Sequence, residues 1–204
     1  MAAKHDVYVI EDDYMADLGD RRGFDPIFAY DRSGYVVYLK SFSKIIFPGL
    51  RIGAVVLPES LAASFHKANQ LNGAALLSQA ALDIYMKNGM YDRHRDKIHR
   101  QYESRMRTLH DAVNRYNEPG LLEVAEVRSG IYTQFKMPQA VNLERVVERL
   151  QKRGVLVLSG KLFYLPDYRQ REKFLRISIS RARPEQIHEG VQAVIEEVKR
   201  GMNV

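Results

Sequence analysis

Close to the start of the chain, Val7-Tyr-Val-Ile10 combines β-branched and aromatic side chains and reads as a buried strand. A lone apolar strand cannot bury itself. Either partner strands come later, or the chain is part of something longer. With 204 residues, 46% of them hydrophobic, it has material for one large domain or two small ones.

The partners are legible downstream. A polar loop, punctuated by Gly, Asp and Pro, runs to about Gly34. Residues 35–39 form a second strand, 41–49 a loop of small and polar residues, and 51–57 a third strand. Pro58 suits the first position of a helix reaching to about Gln70. A second helix covers 74–87, with Leu77, Ala81, Ile84 and Tyr85 on one face. Gly89 interrupts it, and a long charged helix follows from Tyr91 to about Tyr116. Beyond Pro119-Gly120 the pattern changes to strands at 121–127, 131–135, 155–158 and 174–179. Helices are expected at 143–152, ended by Gly154, and from about Pro184 to Arg200. This second portion reads as an α+β layer, a small sheet with helices packed on it.

Composition removes several function classes. No run of ~18 apolar residues is present, so no membrane span is expected. The first residues are not followed by the apolar region of a secretory signal. The absence of cysteine excludes disulfides and cysteine-ligated metals and fits a reducing cytoplasm. The histidines have no convincing metal-ligand spacing. The net charge of +6 is a mild pointer to an anionic partner, but the densest basic run, Arg93 to Arg107, is interleaved with Asp92, Asp96 and Glu103 and reads as a solvated helix face.

Four features at strand ends or in loops carry possible chemistry. Ser41-Phe-Ser43-Lys44 precedes Pro48-Gly49-Leu50-Arg51. Here a lysine able to act as an amine nucleophile stands beside hydroxyls and an arginine able to grip a phosphate. Taken alone, the lysine reads as a solvated loop residue; the hydroxyls, the Pro-Gly turn, Arg51 and the strand that follows are what set it apart. Asp12, just past the first strand, and Tyr14 offer a carboxylate and a phenol to a protonated heterocycle, or simply end a strand. Arg176 lies within an apolar strand, where a substrate carboxylate would offset its burial. Alternation places it with Phe174 and Ser178, opposite Leu175, Ile177 and Ile179, so an exposed-face arginine is the competing reading. Ser129-Gly-Ile-Tyr132 reads as a turn entering a strand.

Taken together, Glu11-Asp-Asp-Tyr14, Tyr38-Leu-Lys-Ser-Phe-Ser-Lys44, Phe47-Pro-Gly-Leu-Arg-Ile-Gly53 and Leu175-Arg-Ile-Ser178 resemble the fold type I aminotransferases in order and approximate spacing, across essentially the whole chain. The resemblance implies an α/β fold: the C-terminal part of a pyridoxal 5′-phosphate-binding large domain over residues 1–89, then a long connecting helix and an α+β small domain over 90–204. It implies that Lys44 carries the cofactor as a Schiff base. Asp12 would pair with the pyridine nitrogen and Tyr14 with the 3′-oxygen. Ser41, Ser43 and Arg51 would hold the phosphate, and Arg176 the substrate α-carboxylate. Within that superfamily, the chain looks most like the C-terminal domain of MocR-type regulators of the GntR family. The compact Glu11-Asp-Asp-Tyr14 and the segment from Gly89 to His94, leading into a basic helix with Tyr102 and Arg105, carry that likeness. Such a protein is expected to be a cytoplasmic homodimer that senses an amino acid or amine and binds DNA only through a separate N-terminal helix-turn-helix domain. The alternative is a free-standing amino-acid aminotransferase. The family's upstream region supplies a glycine-rich phosphate loop and a ring-stacking aromatic. This chain lacks it, so the chain alone is expected to bind the cofactor weakly and to be inactive in transamination.

Overall fold

The computed structural model describes residues 1–18, 25–70, 73–124 and 131–202. The chain forms two compact units, Met1–His99 and Arg100–Val204.

The first unit begins with a single helical turn, α1 (Ala2–His5), and strand β1 (Val9–Asp13). The strand starts and ends later than the apolar run suggests. Its register with β2 (Val36–Ser41) runs in parallel from Val9 opposite Val36 to Asp13 opposite Lys40. The acidic cluster therefore lies inside the strand, because each acid is accommodated separately. Both carboxylate oxygens of Glu11 accept backbone amides, from Ile27 and Phe28, at 2.9 Å each. Those amides open a short helix, α2 (Ile27–Tyr30), inside what the sequence presents as a polar loop. Asp13 accepts the Tyr38 hydroxyl at 2.8 Å. Asp12 points to the other, exposed face with Ile10.

Asp31 then sets the entry into β2. Its carboxylate accepts the amides of Ser33, Tyr35 and Val36 at 3.0, 2.7 and 2.8 Å. These bonds, that of Ser33 foremost, hold its carboxyl below the usual range. Strand β3 (Gly53–Val56) pairs antiparallel with β2, completing a three-stranded sheet in the order β1-β2-β3. Helices α3 (Glu59–Ala68) and α4 (Leu76–Lys87) follow, with Pro58 capping α3 one position before its first turn. Gly89, at φ 62°, separates α4 from the long helix α5 (Met90–Tyr116), within which the division between the units falls.

The second unit is a sheet with helices on one face. Strands β4 (Glu123–Val124), β5 (Tyr132–Lys136), β6 (Leu158–Ser159) and β7 (Phe174–Ser178) assemble in the order β4-β5-β7-β6, all antiparallel. Thr133, Phe135, Leu175 and Ile177 share one face by register. Phe135 and Leu175 are fully buried there, in a core completed by Leu109 and Ala112 of α5 and by helices α6 (Leu143–Lys152) and α7 (Pro184–Met202). The spacing of Leu143, Val146 and Leu150 is the apolar stripe of an amphipathic helix. Asn142 caps α6 by accepting the Arg145 amide at 3.1 Å. At its other end Gly154, at φ 76°, allows the Val155 amide to return to the Leu150 carbonyl at 2.9 Å. Replacing Asn142 by alanine leaves that first-turn amide without its partner. We expect a loss of about 1 kcal/mol, read as a lower urea midpoint by circular dichroism, and recovery in Asn142→Asp.

Candidate functional site

Parallel pairing brings the carboxyl ends of β1 and β2 to the same end of the first sheet, where open α/β sheets place their ligand-binding residues. Asp12 is opposite Leu39 in that register, and Ser41 lies two residues further along β2 on the same face. The sequence suggests Asp12 just beyond the strand; the structure places it within β1, because pairing continues to Asp13. Its carboxylate is exposed and takes no hydrogen bond or ion pair from the described residues, whereas Glu11 and Asp13 are both engaged locally. Tyr14 follows directly and is exposed.

The loop after β2 is pinned at two points. Phe42 and Ile45 are buried, and between them Ser43 is half-buried and Lys44 exposed. The Phe42 amide donates to the Ile52 carbonyl at 3.2 Å, and the Ile46 amide to the Phe42 carbonyl at 3.0 Å. Ser41 Oγ accepts the Ser43 amide at 3.2 Å, so its own O–H is left to donate. Gly53, opposite Ser41, lies so near the strand that a Cβ there would meet the Lys40 carbonyl oxygen at 3.0 Å. Arg51 ends a tight 3-10 turn over Pro48–Leu50 in the left-handed region, at φ 53°. That conformation costs a non-glycine residue about 1 kcal/mol and clusters at functional sites. Its guanidinium is exposed, and its contact to the Pro48 carbonyl, at 3.5 Å, is too long to occupy it.

Three residues beside this loop make contacts that the sequence does not announce. Asp17 is buried and accepts both Lys40 Nζ and the Tyr91 hydroxyl, and His94 meets the Ile45 carbonyl. Their partners lie 23 to 74 residues away, so no local spacing announces them.

Arg176 belongs to the second unit. It sits on the central strand β7, between Gln134 of β5 and Leu158 of β6, on the face opposite Phe135 and Leu175. Its guanidinium carbon lies 3.7 Å from the Tyr132 ring centroid and 5.4 Å from that of Phe163. Aromatic stacking, rather than an acid among the described residues, therefore holds this cation, and its donors stay open to an anion. Tyr132 is the first residue of β5; Ser129 and Gly130 lie outside the described residues.

An exposed primary amine, an open carboxylate on the neighbouring strand, hydroxyls and a strained arginine are the donor set that a phosphorylated, ring-protonated aldehyde requires. The family model of aminotransferase class I and II matches residues 1–194. The chain belongs to that family, whose cofactor is pyridoxal 5′-phosphate. An uncharacterized HTH-type transcriptional regulator, YcxD of Bacillus subtilis, is 43% identical over 96% of this chain and 45% of its own length. A probable rhizopine catabolism regulatory protein, MocR of Rhizobium meliloti, is 31% identical over 80% of this chain and 34% of its own. The crystal structure of a multiple substrate aminotransferase from Thermococcus profundus superposes with a TM-score of 0.89 at 28% identity, over 99% of this chain and 50% of that one. The chain thus spans about half the length of the relatives it matches or less. Among the described residues, no helix is long and apolar enough to cross a membrane.

Proposed function

We propose that this chain supplies the cofactor-lysine half of an aminotransferase-like effector domain in a MocR-type, GntR-family transcriptional regulator. The observation that carries the reading is the Lys44 loop: an exposed amine between two buried pins, at the strand ends where Asp12 and Ser41 share a face. Its occurrence in a chain 43% identical to an HTH-type regulator favours regulation over metabolism. Pyridoxal phosphate supplies an aldehyde for primary amines and a ring that delocalises electrons. Lys44 would hold it covalently. Asp12 would keep the ring nitrogen protonated, and Tyr14 would hydrogen-bond the 3′-oxygen. Ser41, Ser43 and Arg51 would grip the phosphate, and Arg176 the carboxylate of an amino-acid-like effector. Residues 1–89 would close the large domain and 90–204 form the connecting helix and small domain. DNA would be bound by the part of such a regulator outside this chain, in a cytoplasmic homodimer.

A free-standing aminotransferase is the second reading, favoured by the likeness to the Thermococcus profundus enzyme. One experiment separates them. The full-length protein is titrated onto its own promoter DNA by fluorescence anisotropy, with pyridoxal phosphate and a panel of amino acids, while keto-acid formation is followed in parallel. We expect an amino-acid-dependent shift in DNA affinity and no sustained keto-acid production. In Arg176→Gln the amino-acid concentration needed should rise at least about tenfold, because a charged bidentate contact is lost. Steady turnover without any effect on DNA would establish the enzyme reading instead.

A further inference from the structure

Beside the Lys44 loop lies a partly buried polar cluster that the proposed cofactor chemistry does not use. Asp17 accepts Lys40 Nζ at 3.0 Å and the Tyr91 hydroxyl at 2.5 Å. Lys40 Nζ also lies 5.4 Å from the centroid of the Phe42 ring and 5.8 Å from that of Tyr91. The two rings meet edge-on at 5.9 Å. One turn further along α5, His94 Nε2 is 2.9 Å from the Ile45 carbonyl oxygen. A carbonyl only accepts, so the proton is on Nε2 and the imidazole donates. Tyr91 and His94 are three apart and share a helix face. Each therefore holds one of the two buried pins, Phe42 and Ile45, between which Lys44 stands.

We infer that Tyr91 and His94 are positioning residues for Lys44, clamping the loop from the first turn of α5. The inference rests on the reading of Lys44 as the cofactor lysine. The physical case is the cost of the arrangement. The Lys40–Asp17 ion pair is only partly buried, its side chains 23% and 6% exposed, so it adds little to stability, and the best-attested use of such a pair is to fix one register among several. Here the register fixed is that of Lys40, the residue before Ser41, and hence of the loop that follows. The carbonyl of Ile45, a buried residue, is met by His94 in a part-buried hydrogen bond that fixes this end of the loop. A lysine that must meet an aldehyde carbon benefits from a backbone already in place.

The test uses the full chain as wild type, His94→Ala, His94→Gln, Tyr91→Phe and Lys44→Ala. Amide hydrogen exchange is measured by mass spectrometry. In parallel, pyridoxal phosphate is trapped on lysines by borohydride reduction and mapped by peptide. Glutamine restores a side-chain N–H donor, and phenylalanine keeps the ring against Phe42 while removing only the hydroxyl. We expect exchange over residues 42–46 to quicken by roughly three- to tenfold in His94→Ala and Tyr91→Phe, in proportion to one lost hydrogen bond. It should recover in His94→Gln and stay unchanged across α7 in every variant. Trapping at Lys44, relative to the other lysines, should fall and recover in the same order. Unchanged exchange over 42–46, or a rise equal in His94→Ala and His94→Gln, overturns the clamp. If the exchange pattern appears as expected but the wild type shows no preference for Lys44, the clamp stands and the cofactor assignment falls.

Discussion

In the full-length protein saturated with pyridoxal phosphate, replacing Lys44 by alanine is expected to remove the visible absorbance band of the lysine-linked cofactor completely. The effect is all-or-none because the link requires a primary amine. No other lysine in the first unit shares its setting: Lys40 is engaged with Asp17, Lys87 pairs with Asp83 on α4, and Lys4, Lys67 and Lys97 stand on helices α1, α3 and α5 rather than in the loop after β2. Asp12→Asn should behave differently, retaining a lysine-linked band but with weakened affinity, since the ring nitrogen loses its counter-charge while the amine remains. This chain alone, spanning about half of its relatives, should show only weak binding. An unaltered band in Lys44→Ala would move the cofactor elsewhere. No band in either protein would leave a family fold that senses its effector without the cofactor.

The structure explains why some of this site is readable in a single sequence and some is not. Helix α6 is legible to the residue because all its determinants are local: Asn142 caps it, Leu143, Val146 and Leu150 face the core, and Gly154 turns the chain away. Lys44, Arg51 and Asp12 can be singled out as candidates because they sit in short, ordered motifs. The end of β1 is not. Three consecutive acids have poor strand propensity, and only tertiary partners overrule it: the α2 amides for Glu11 and the Tyr38 hydroxyl for Asp13. Helix α2 is hidden for the same reason, since four residues without an apolar period declare themselves only once Glu11 satisfies their amides. Tyr91 reads in the sequence only as one residue of the segment from Gly89 to His94; its buried contact emerges only when folding brings Asp17, 74 positions earlier, to its hydroxyl.

The second large effect lies in the core behind Arg176. Phe135 and Leu175 face each other across β5 and β7 with both side chains fully buried, and the next register pair is Gln134 with Arg176 on the opposite face. Truncating Phe135 to alanine removes a ring from a region already closed by Leu109, Leu150 and Val194, so little collapse is available. We expect a loss of roughly 3–5 kcal/mol, a large fraction of the stability of a domain of this size. With no tryptophan and 12 tyrosines, the chain reports this through tyrosine fluorescence as a urea midpoint lowered by at least about 1 M. Leu156→Ala is the control: its side chain is 81% exposed, and its removal should cost no more than about 0.5 kcal/mol. The consequence reaches function because a strand has two faces and one backbone. A cavity beneath Phe135 loosens the segment that presents Tyr132, and with it the ring on which the Arg176 guanidinium rests. If Arg176 grips the effector carboxylate as proposed, effector affinity in Phe135→Ala should therefore fall even at temperatures where the protein remains folded. Effector binding unchanged in a stably folded Phe135→Ala would mean that Arg176 is held by something other than its stack on Tyr132, or that it does not grip the effector.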